Sequence, residues 1–194
     1  MKKVFYIFLF SVIASTAVAQ NSLVSWQYSI GFGTGDLHDY ISSASFRGVT
    51  FNYQRFVRPD LSTGLEFGWN VFYQEKSFGT YTMGDFDYSG KQYRYSNNFP
   101  MLATINYYLR RDEAINPFAG LGIGTMYSIK YMDMGSYGFT SDAWPFVLKP
   151  ELGIIYKTDG ASISLSSKYY YGFKTSDLPA QSYITINLGL VLNY

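Results

Sequence analysis

The strongest constraint on the fold is the alternation of apolar and polar side chains in residues 182–194. Successive side chains of a β-strand point to opposite faces, so a period of two predicts a strand here. One face carries Ile184, Ile186, Leu188, Leu190, Leu192 and Tyr194. The other face carries Thr185, Asn187, Gly189, Val191 and Asn193. A strand with two such different faces is predicted to separate an apolar from a more polar environment.

The same alternation recurs in seven segments upstream. They cover residues 26–33, 46–56, 61–74, 99–109, 118–131, 144–156 and 161–171. Short connections, such as residues 57–60 and 157–160, alternate with longer ones, such as residues 75–98. An even number of strands with short and long connections in turn predicts an antiparallel up-and-down barrel whose two termini lie at the same end.

The N-terminus has the pattern of a secretory signal peptide. Met1-Lys2-Lys3 precedes an apolar run, and Ala17-Val18-Ala19 supplies an Ala-x-Ala cleavage pattern. The alternative is a membrane anchor, but the apolar run is shorter than the roughly 20 residues that a spanning helix needs. We therefore expect residues 1–19 to be removed and residues 20–194 to form one barrel domain.

Composition narrows the functional classes. The chain has no cysteine, which excludes disulfides, thiol nucleophiles and Cys-ligated metals. Lys+Arg number 15 and Asp+Glu 14, so the chain offers no strongly basic surface for nucleic acid. After residue 19 the sequence contains no run of about 18 apolar residues, so insertion into a bilayer would require a closed barrel.

Period two alone does not say which face of the strands points outward. The polar face carries Glu66, Lys130, Lys149, Glu151 and Lys168. A lysine facing lipid at the bilayer midplane costs about 2–4 kcal/mol, so the polar face is predicted to line the lumen. The alternative is a soluble, lipocalin-like cup with the apolar face inside. That cup does not explain the aromatic residues near both strand ends, which are typical of a lipid-facing barrel.

The C-terminal spacing Asn187-x-Gly189-x-x-Leu192-x-Tyr194 resembles the targeting signal of bacterial outer-membrane barrels. With the signal peptide and eight alternating strands, it makes the mature chain similar to the small outer-membrane barrel class typified by OmpX, the OmpA membrane domain and related porin-family proteins. The resemblance implies a transmembrane, eight-stranded antiparallel β-barrel in the bacterial outer membrane. It also implies contact with outer-membrane lipids and lipopolysaccharide, and recognition of the last strand by the barrel assembly machinery. It implies no cofactor, metal or nucleic acid.

The lumen charges allow two interpretations. Glu66 and Glu151 can pair with Lys149 and Lys168 to form a side-chain plug, because buried charges persist when they are paired. The alternative is a narrow pore for small solutes or ions whose selectivity these residues set. Gly120, Gly122 and Gly124 are expected to make room for large residues such as Phe72 and Tyr170 or to allow a local bend. The alternative is that they border a ligand cavity.

His38 is the only histidine and the only candidate catalytic residue. It lies in the first long connection, near Asp36, Asp39 and several serines, and His with Ser and a carboxylate can support acyl transfer. A lipid A-modifying barrel enzyme is therefore an alternative function. The spacing matches no motif of such enzymes, and a lone histidine in a polar loop is usually solvated, so we expect no enzyme activity.

The connection spanning residues 75–98 has the pattern of two strands extended beyond the membrane, with a tip around residues 89–91. Its exposed rings and those of the next long loop are candidates for binding a protein or glycan: Phe78, Tyr81, Phe86, Tyr88, Tyr93, Tyr95, Tyr137 and Phe139. The same rings could instead stabilise the extended strands through cross-strand pairs. Arg47 and Arg94 near the outer rim could contact lipopolysaccharide phosphates. The sequence thus favours a non-catalytic surface scaffold or adhesin-like binding protein.

Overall fold

The computed structural model describes residues 22–83, 86–111, 113–135, 137–158 and 160–193, so the predicted signal peptide lies outside the described residues. These residues form nine strand segments and one short helix. The first strands are β1 (Ser22–Thr34), β2 (Ser45–Arg58), β3 (Leu61–Met83) and β4 (Phe86–Tyr108), with helix α1 (Asp36–Tyr40) between β1 and β2. The others are β5 (Ile115–Met134), β6 (Tyr137–Ala143), β7 (Phe146–Tyr156), β8 (Ser162–Gly172) and β9 (Gln181–Asn193).

The sheet closes on itself as an eight-stranded antiparallel barrel. Neighbouring strands pair in chain order, and β9 pairs with β1 from Leu23↔Asn193 to Thr34↔Ser182. β6 and β7 both pair with β5, β6 with its outer part and β7 with the rest, so together they form one of the eight barrel strands. The predicted strand 144–156 is wrong at its start, because β7 begins only at Phe146. Trp144 and Pro145 lie between β6 and β7, and proline has no N–H to donate to a neighbouring strand.

The two faces of the strands lie as predicted. Large apolar side chains cover the exterior, for example Trp26, Phe67, Leu152 and Leu188, each at least 45% exposed. Serine, threonine, asparagine and glutamine side chains fill much of the interior, where most are buried. An apolar exterior around a polar interior suits lipid hydrocarbon, so the soluble, inverted cup is wrong and the predicted transmembrane barrel is confirmed.

β3 and β4 are much longer than a bilayer requires. Each has 23 residues, against about 10 for a tilted transmembrane strand. They stay paired from Leu61↔Tyr107 to Met83↔Phe86, the last residue of β3 and the first of β4. The predicted tip at residues 89–91 is wrong, because Gly90 lies within β4 and pairs with Gly79. We call residues 71–97, the outer part of this pair, the outer hairpin.

The first long connection folds inward, which the sequence analysis did not predict. Its five-residue helix α1 places Leu37 inside the outer mouth of the barrel, and Ile41 follows directly; both side chains are fully buried. These two residues are four apart, so they lie on the same side of a helical turn. Among the described residues, no helix is long and apolar enough to cross a membrane.

Candidate functional site

Four charged side chains meet at the centre of the lumen, and we call Glu66, Lys149, Glu151 and Lys168 the charge cluster. Lys149 Nζ lies 2.8 Å from Glu66 Oε2 and 2.6 Å from Glu151 Oε2. Lys168 Nζ lies 2.8 Å from Glu66 Oε2 and 3.9 Å from Glu151 Oε1. Tyr170 donates a hydrogen bond of 2.7 Å to Glu66 Oε1. Two acids and two bases therefore neutralise each other where all four side chains are withdrawn from solvent.

Strand geometry explains three of the four positions. Lys149 and Glu151 are two residues apart on β7, so both point into the lumen. Glu151 is directly opposite Lys168 of β8 in the antiparallel register. Glu66 comes from β3, which neighbours neither β7 nor β8, so its carboxylate reaches the lysines across the lumen. The charge cluster thus ties opposite walls of the barrel together.

Lys130 was predicted to belong to the lumen charge network, but it lies apart from the charge cluster. Its Nζ stands 4.8 Å from the centre of the Tyr40 ring, at the outer mouth. On β5, Lys130 is opposite Ser96 of β4 and Ser141 of β6, nearer to the outer end than Gly122, which is opposite Lys149 of β7. Lys130 therefore belongs to the outer mouth of the barrel.

The glycines of β5 make room for other neighbours than those predicted. A Cβ on Gly122 would lie 2.7 Å from Lys149 Cε, so this glycine leaves space for the lysine of the charge cluster. A Cβ on Gly120 would lie 2.0 Å from Asn106 Oδ1, and one on Gly124 2.3 Å from Met101 O. The prediction that these positions accommodate Phe72 and Tyr170 is therefore wrong, because backbone and side-chain atoms of adjacent strands lie closest to them.

An apolar layer, which we call the upper seal, lies between the charge cluster and the outer end. It consists of Leu37, Ile41, Phe72, Leu102, Met126, Val147, Tyr170 and Tyr183, all nearly or fully buried. Tyr170 stacks on Tyr183 at 4.7 Å between ring centres, and Phe72 packs against Tyr183 at 5.2 Å. Leu37 of α1 and Ile41, which follows α1, are two of its members, so the first loop helps to close the mouth.

Tyr40, at the end of α1, fixes the helix in the mouth. Its hydroxyl donates to Tyr131 O at 3.1 Å, and Arg94 Nη1 donates to Tyr40 O at 3.0 Å. The Arg94 guanidinium and the Lys130 ammonium lie 5.2 and 4.8 Å from the ring centre, within cation–π range. Burial raises the pKa of Tyr40 to about 12 despite the opposing effect of Arg94, so the hydroxyl stays protonated and remains a donor near neutral pH.

The substitution Arg94→Ala is expected to loosen α1 without unfolding the barrel. It removes a charge-assisted hydrogen bond and a cation–π contact, and one such bond contributes about 1.5–3 kcal/mol. Amide exchange at Asp39 and Ile41, whose N–H groups bond to Gly35 O and Leu37 O, should accelerate at least about tenfold. Arg47→Ala is the control, since Arg47 lies over Tyr73 on the exterior. Equal exchange in both variants would contradict this role of Arg94.

A second apolar layer, the lower seal, closes the end that holds both termini, which we call the periplasmic end. It consists of Leu23, Tyr108, Phe118, Ile155 and Val191, with Phe56 packed against it. Between this layer and the charge cluster lies a cavity of about 30 Å³ lined by Gln54, Asn106, Glu151 and their neighbours. That volume suits one or two water molecules and is far below the several hundred Å³ of a typical ligand site.

His38 is exposed on α1, and its surroundings do not form a catalytic triad. Asp36 Oδ2 accepts a hydrogen bond from Ala180 N at 3.1 Å. Ser42 Oγ accepts one from Gln74 Nε2 at 2.9 Å, and Ser45 Oγ donates to Val71 O. Asp36, Ser42 and Ser45 thus form hydrogen bonds with partners other than His38. Within the described ranges, no three His, Asp or Glu side chains are grouped to hold a metal ion.

The structure describes the side chains of five of the eight candidate rings of the outer surface, and their surroundings differ. Tyr95 lies 4.8 Å from Tyr73 and 6.2 Å from Tyr131, so this ring forms cross-strand pairs. Phe78 and Phe139 are 74% and 50% exposed. Tyr81 donates a hydrogen bond to Ser77 O, and Tyr93 is half-buried. The side chains of Phe86, Tyr88 and Tyr137 lie outside the described residues.

The residues of the proposed insertion signal lie where β9 closes the barrel against β1. Asn187 is buried in the lumen and accepts a hydrogen bond of 2.5 Å from Ser29 Oγ. A Cβ on Gly189 would lie 2.4 Å from Trp26 O, so this position requires glycine. Leu192 faces outward, and Tyr194 lies outside the described residues. These contacts give Asn187 and Gly189 a structural role, and their role as a signal stays a prediction.

We compared the chain with protein-family models, curated proteins and solved structures. No family model matches the chain, and no curated protein matches it. Among solved structures, Neisserial surface protein A has a TM-score of 0.59 at 14% identity, with 89% of this chain and 97% of that chain covered. The fold is that of the small outer-membrane β-barrels.

Two further structures show how widely this fold is used. Ail, the attachment invasion locus protein of Yersinia pestis, in complex with the heparin analogue sucrose octasulfate, has a TM-score of 0.53 at 13% identity over 90% of this chain and 99% of Ail. The outer membrane protease OmpT from Escherichia coli has a TM-score of 0.51 at 11% identity over 76% of this chain and 63% of OmpT. At such identities the likeness shows the fold alone, and it agrees with the predicted location in the bacterial outer membrane.

Proposed function

We propose that this protein is a non-catalytic surface protein whose closed barrel anchors the outer hairpin as a binding site for an extracellular protein or glycan. The observation that carries this proposal is the pairing of the outer hairpin. β2 pairs with β3 only as far as Gly48↔Asn70, and β4 pairs with β5 only as far as Tyr93↔Asp133. Beyond these points β3 and β4 pair with each other as far as Met83↔Phe86. Residues 71–92 of the outer hairpin are therefore not needed to close the barrel.

The outer hairpin offers two features that suit recognition. Phe78 is 74% exposed, and aromatic side chains at such positions are common anchors of protein and sugar ligands. Past Asn70, the edge of β3 has no ladder partner from β2 among the described residues. An unpaired edge can accept an extended segment of a partner through backbone hydrogen bonds.

The charge of the outer surface narrows the ligand class. The outer segments, residues 35–45, 71–97, 132–143 and 172–181, together contain eight acidic residues and four basic ones. Sulfated polysaccharides are recognised by basic surfaces, so the sulfated heparin analogue bound by Ail is a poor guide to this chain. A neutral glycan or a protein surface is the better match to exposed rings on a surface with an excess of acidic residues.

A closed lumen accompanies the proposed role and argues against a pore. The upper seal, the charge cluster and the lower seal follow one another along the barrel axis. A conducting path would have to displace fully buried aromatic rings and separate ion pairs of 2.6–2.8 Å. We therefore expect the proposed scaffold to conduct no ions through its barrel.

The proposal also excludes catalysis at His38. Lipid A extracted from cells that express the chain and from cells that express His38→Ala should have identical mass spectra. Both spectra should also match that of cells without the protein. A mass change that depends on His38 would overturn the non-catalytic assignment.

Surface display tests the binding function directly. Cells that display the chain are incubated with an array of neutral glycans and a panel of extracellular matrix proteins. We expect saturable binding to at least one member, reduced about tenfold by Phe78→Ser because a buried aromatic contact contributes about 1–2 kcal/mol or more. Phe46→Ser is the control, since Phe46 is 62% exposed on β2 and lies off the hairpin. Absence of saturable binding, or equal loss in both variants, would contradict the proposal.

A further inference from the structure

The lipid-facing surface carries a groove on its periplasmic half, across strands β2 to β5. Its volume is about 520 Å³, within the roughly 300–1,000 Å³ typical of small-ligand sites. Its walls are mostly apolar and include Leu65, Ala103, Ile105 and Ile123, and Arg55 and Thr63 are among its polar lining residues. The groove therefore differs from the flat apolar exterior expected of a barrel wall.

The register of the strands explains why the groove exists. One row of outward-facing residues crosses four strands through the pairs Tyr53↔Leu65, Leu65↔Ala103 and Ala103↔Ile123. Ala103 is the one small side chain in this row, so the surface is indented above it. Thr63 is the small member of the next row, in which it pairs with Arg55 on one side and Ile105 on the other. The two small residues are neighbours, so the indentations join into a groove that runs along β3 and β4.

Arg55 stands at the periplasmic end of this groove. It follows Tyr53 by two residues on the same face of β2, which moves it about 6–7 Å further toward the periplasm. Tyrosines of the lipid-facing belt lie at the headgroup level, so the guanidinium of Arg55 reaches the zone of lipid phosphates. Its side chain is exposed, and no carboxylate of the described residues forms an ion pair with it.

We propose that this groove is a binding site for one anionic glycerophospholipid of the periplasmic leaflet. The phosphate lies against the Arg55 guanidinium, whose planar fork of donors suits phosphate oxygens, and the Thr63 hydroxyl is placed to donate to the same group. One acyl chain lies in the groove over Ala103 and contacts Leu65 and Ile123. The position of the arginine decides the leaflet, because a lipid of the outer leaflet cannot bring its phosphate to the periplasmic end.

Arg58 provides an internal contrast. It lies three residues beyond Arg55 at the end of β2, and its guanidinium pairs with Asp60 at 3.5 Å. That pair satisfies the charge of Arg58 locally, whereas Arg55 has a groove at its side and no acidic partner. A lipid attracted only by general positive charge would not distinguish these two arginines.

Native mass spectrometry of the refolded barrel tests the site. The full chain is prepared in detergent and titrated with phosphatidylglycerol. We expect one tightly retained lipid per barrel, with Arg55→Gln weakening its retention about tenfold, as loss of a charge-assisted bond predicts. Ala103→Leu should weaken retention to a similar extent while Arg55 is intact, because the added methyl groups fill the groove.

Two matched variants keep the test specific. Arg58→Gln removes the same charge from the same strand, and Ala119→Leu adds the same bulk at a position that pairs with lipid-facing Tyr107 and Leu152 but does not line the groove. Both should retain lipid as the unmodified chain does. Equal retention by all four variants, or equal loss in Arg55→Gln and Arg58→Gln, would overturn the proposal. So would equal retention of phosphatidylcholine, whose headgroup cation neutralises its phosphate.

Discussion

Glu66→Gln is expected to lower the free energy of unfolding by about 3–5 kcal/mol, the usual cost of breaking a buried ion pair by removing one partner. Glu66 Oε2 accepts hydrogen bonds from both Lys149 and Lys168, each at 2.8 Å. Without that carboxylate the two lysines share only Glu151, so one positive charge stays buried without compensation. The loss follows from the desolvation of the lysine that remains, since the glutamine itself fits the space.

Urea titration of the barrel in phospholipid vesicles measures this effect, with heat-dependent gel mobility reporting the folded fraction. Glu75→Gln is the matched control, because Glu75 pairs with Lys91 at the same 2.8 Å but on an exposed surface. Exposed pairs contribute about 0–1 kcal/mol, so the control should be nearly neutral. Adding Lys168→Met to Glu66→Gln should restore part of the stability by rebalancing the charges. Equal losses in the two single variants would contradict the role assigned to the charge cluster.

Shortening the outer hairpin is expected to abolish surface binding and leave the barrel as stable as before. Residues 77–91 can be replaced by Asn-Gly between Lys76 and Gln92, which are paired in the antiparallel register. Apart from the exposed Lys91–Glu75 ion pair, the side-chain contacts of the removed residues that the structure describes lie within the segment itself. The urea midpoint should therefore change by less than the equivalent of about 1 kcal/mol.

The binding assay with displayed cells decides between the two roles of the hairpin. Loss of saturable binding with an unchanged urea midpoint identifies the outer hairpin as the recognition element. Undiminished binding after shortening would show that the ligand contacts another part of the surface. A large fall in the urea midpoint would show that the hairpin serves mainly to hold the barrel together.

The barrel itself could be predicted from the sequence because side-chain alternation reports directly on strand faces. Each of Glu66, Lys149, Glu151 and Lys168 was placed on the polar face by parity alone, and all four are buried in the lumen. Parity does not tell which strands face each other across the lumen. The contact of Glu66 with Lys149 and Lys168 depends on the shear and closure of the whole barrel, and local sequence does not contain them.

Helix α1 and the tip of the outer hairpin were not predicted correctly, because the local sequence signal is short in both places. Helix α1 has only five residues, too few for a helical period to be recognised, and its only signal is the spacing of Leu37 and Ile41. The extended strands of the outer hairpin were predicted, but their register, which shifts between Lys76 and Gly79, was not. Gly90 looked like a turn residue, yet it lies opposite Gly79 within the paired strands.

Single-channel recording of the refolded protein in a planar bilayer tests the central claim, that the barrel is a closed anchor. Heat-dependent gel mobility first establishes that the sample is folded. We expect no unitary currents, because the upper seal, the charge cluster and the lower seal fill the lumen. Reproducible unitary currents that change with Lys168→Gln would contradict the closed barrel and favour a narrow pore controlled by the charge cluster.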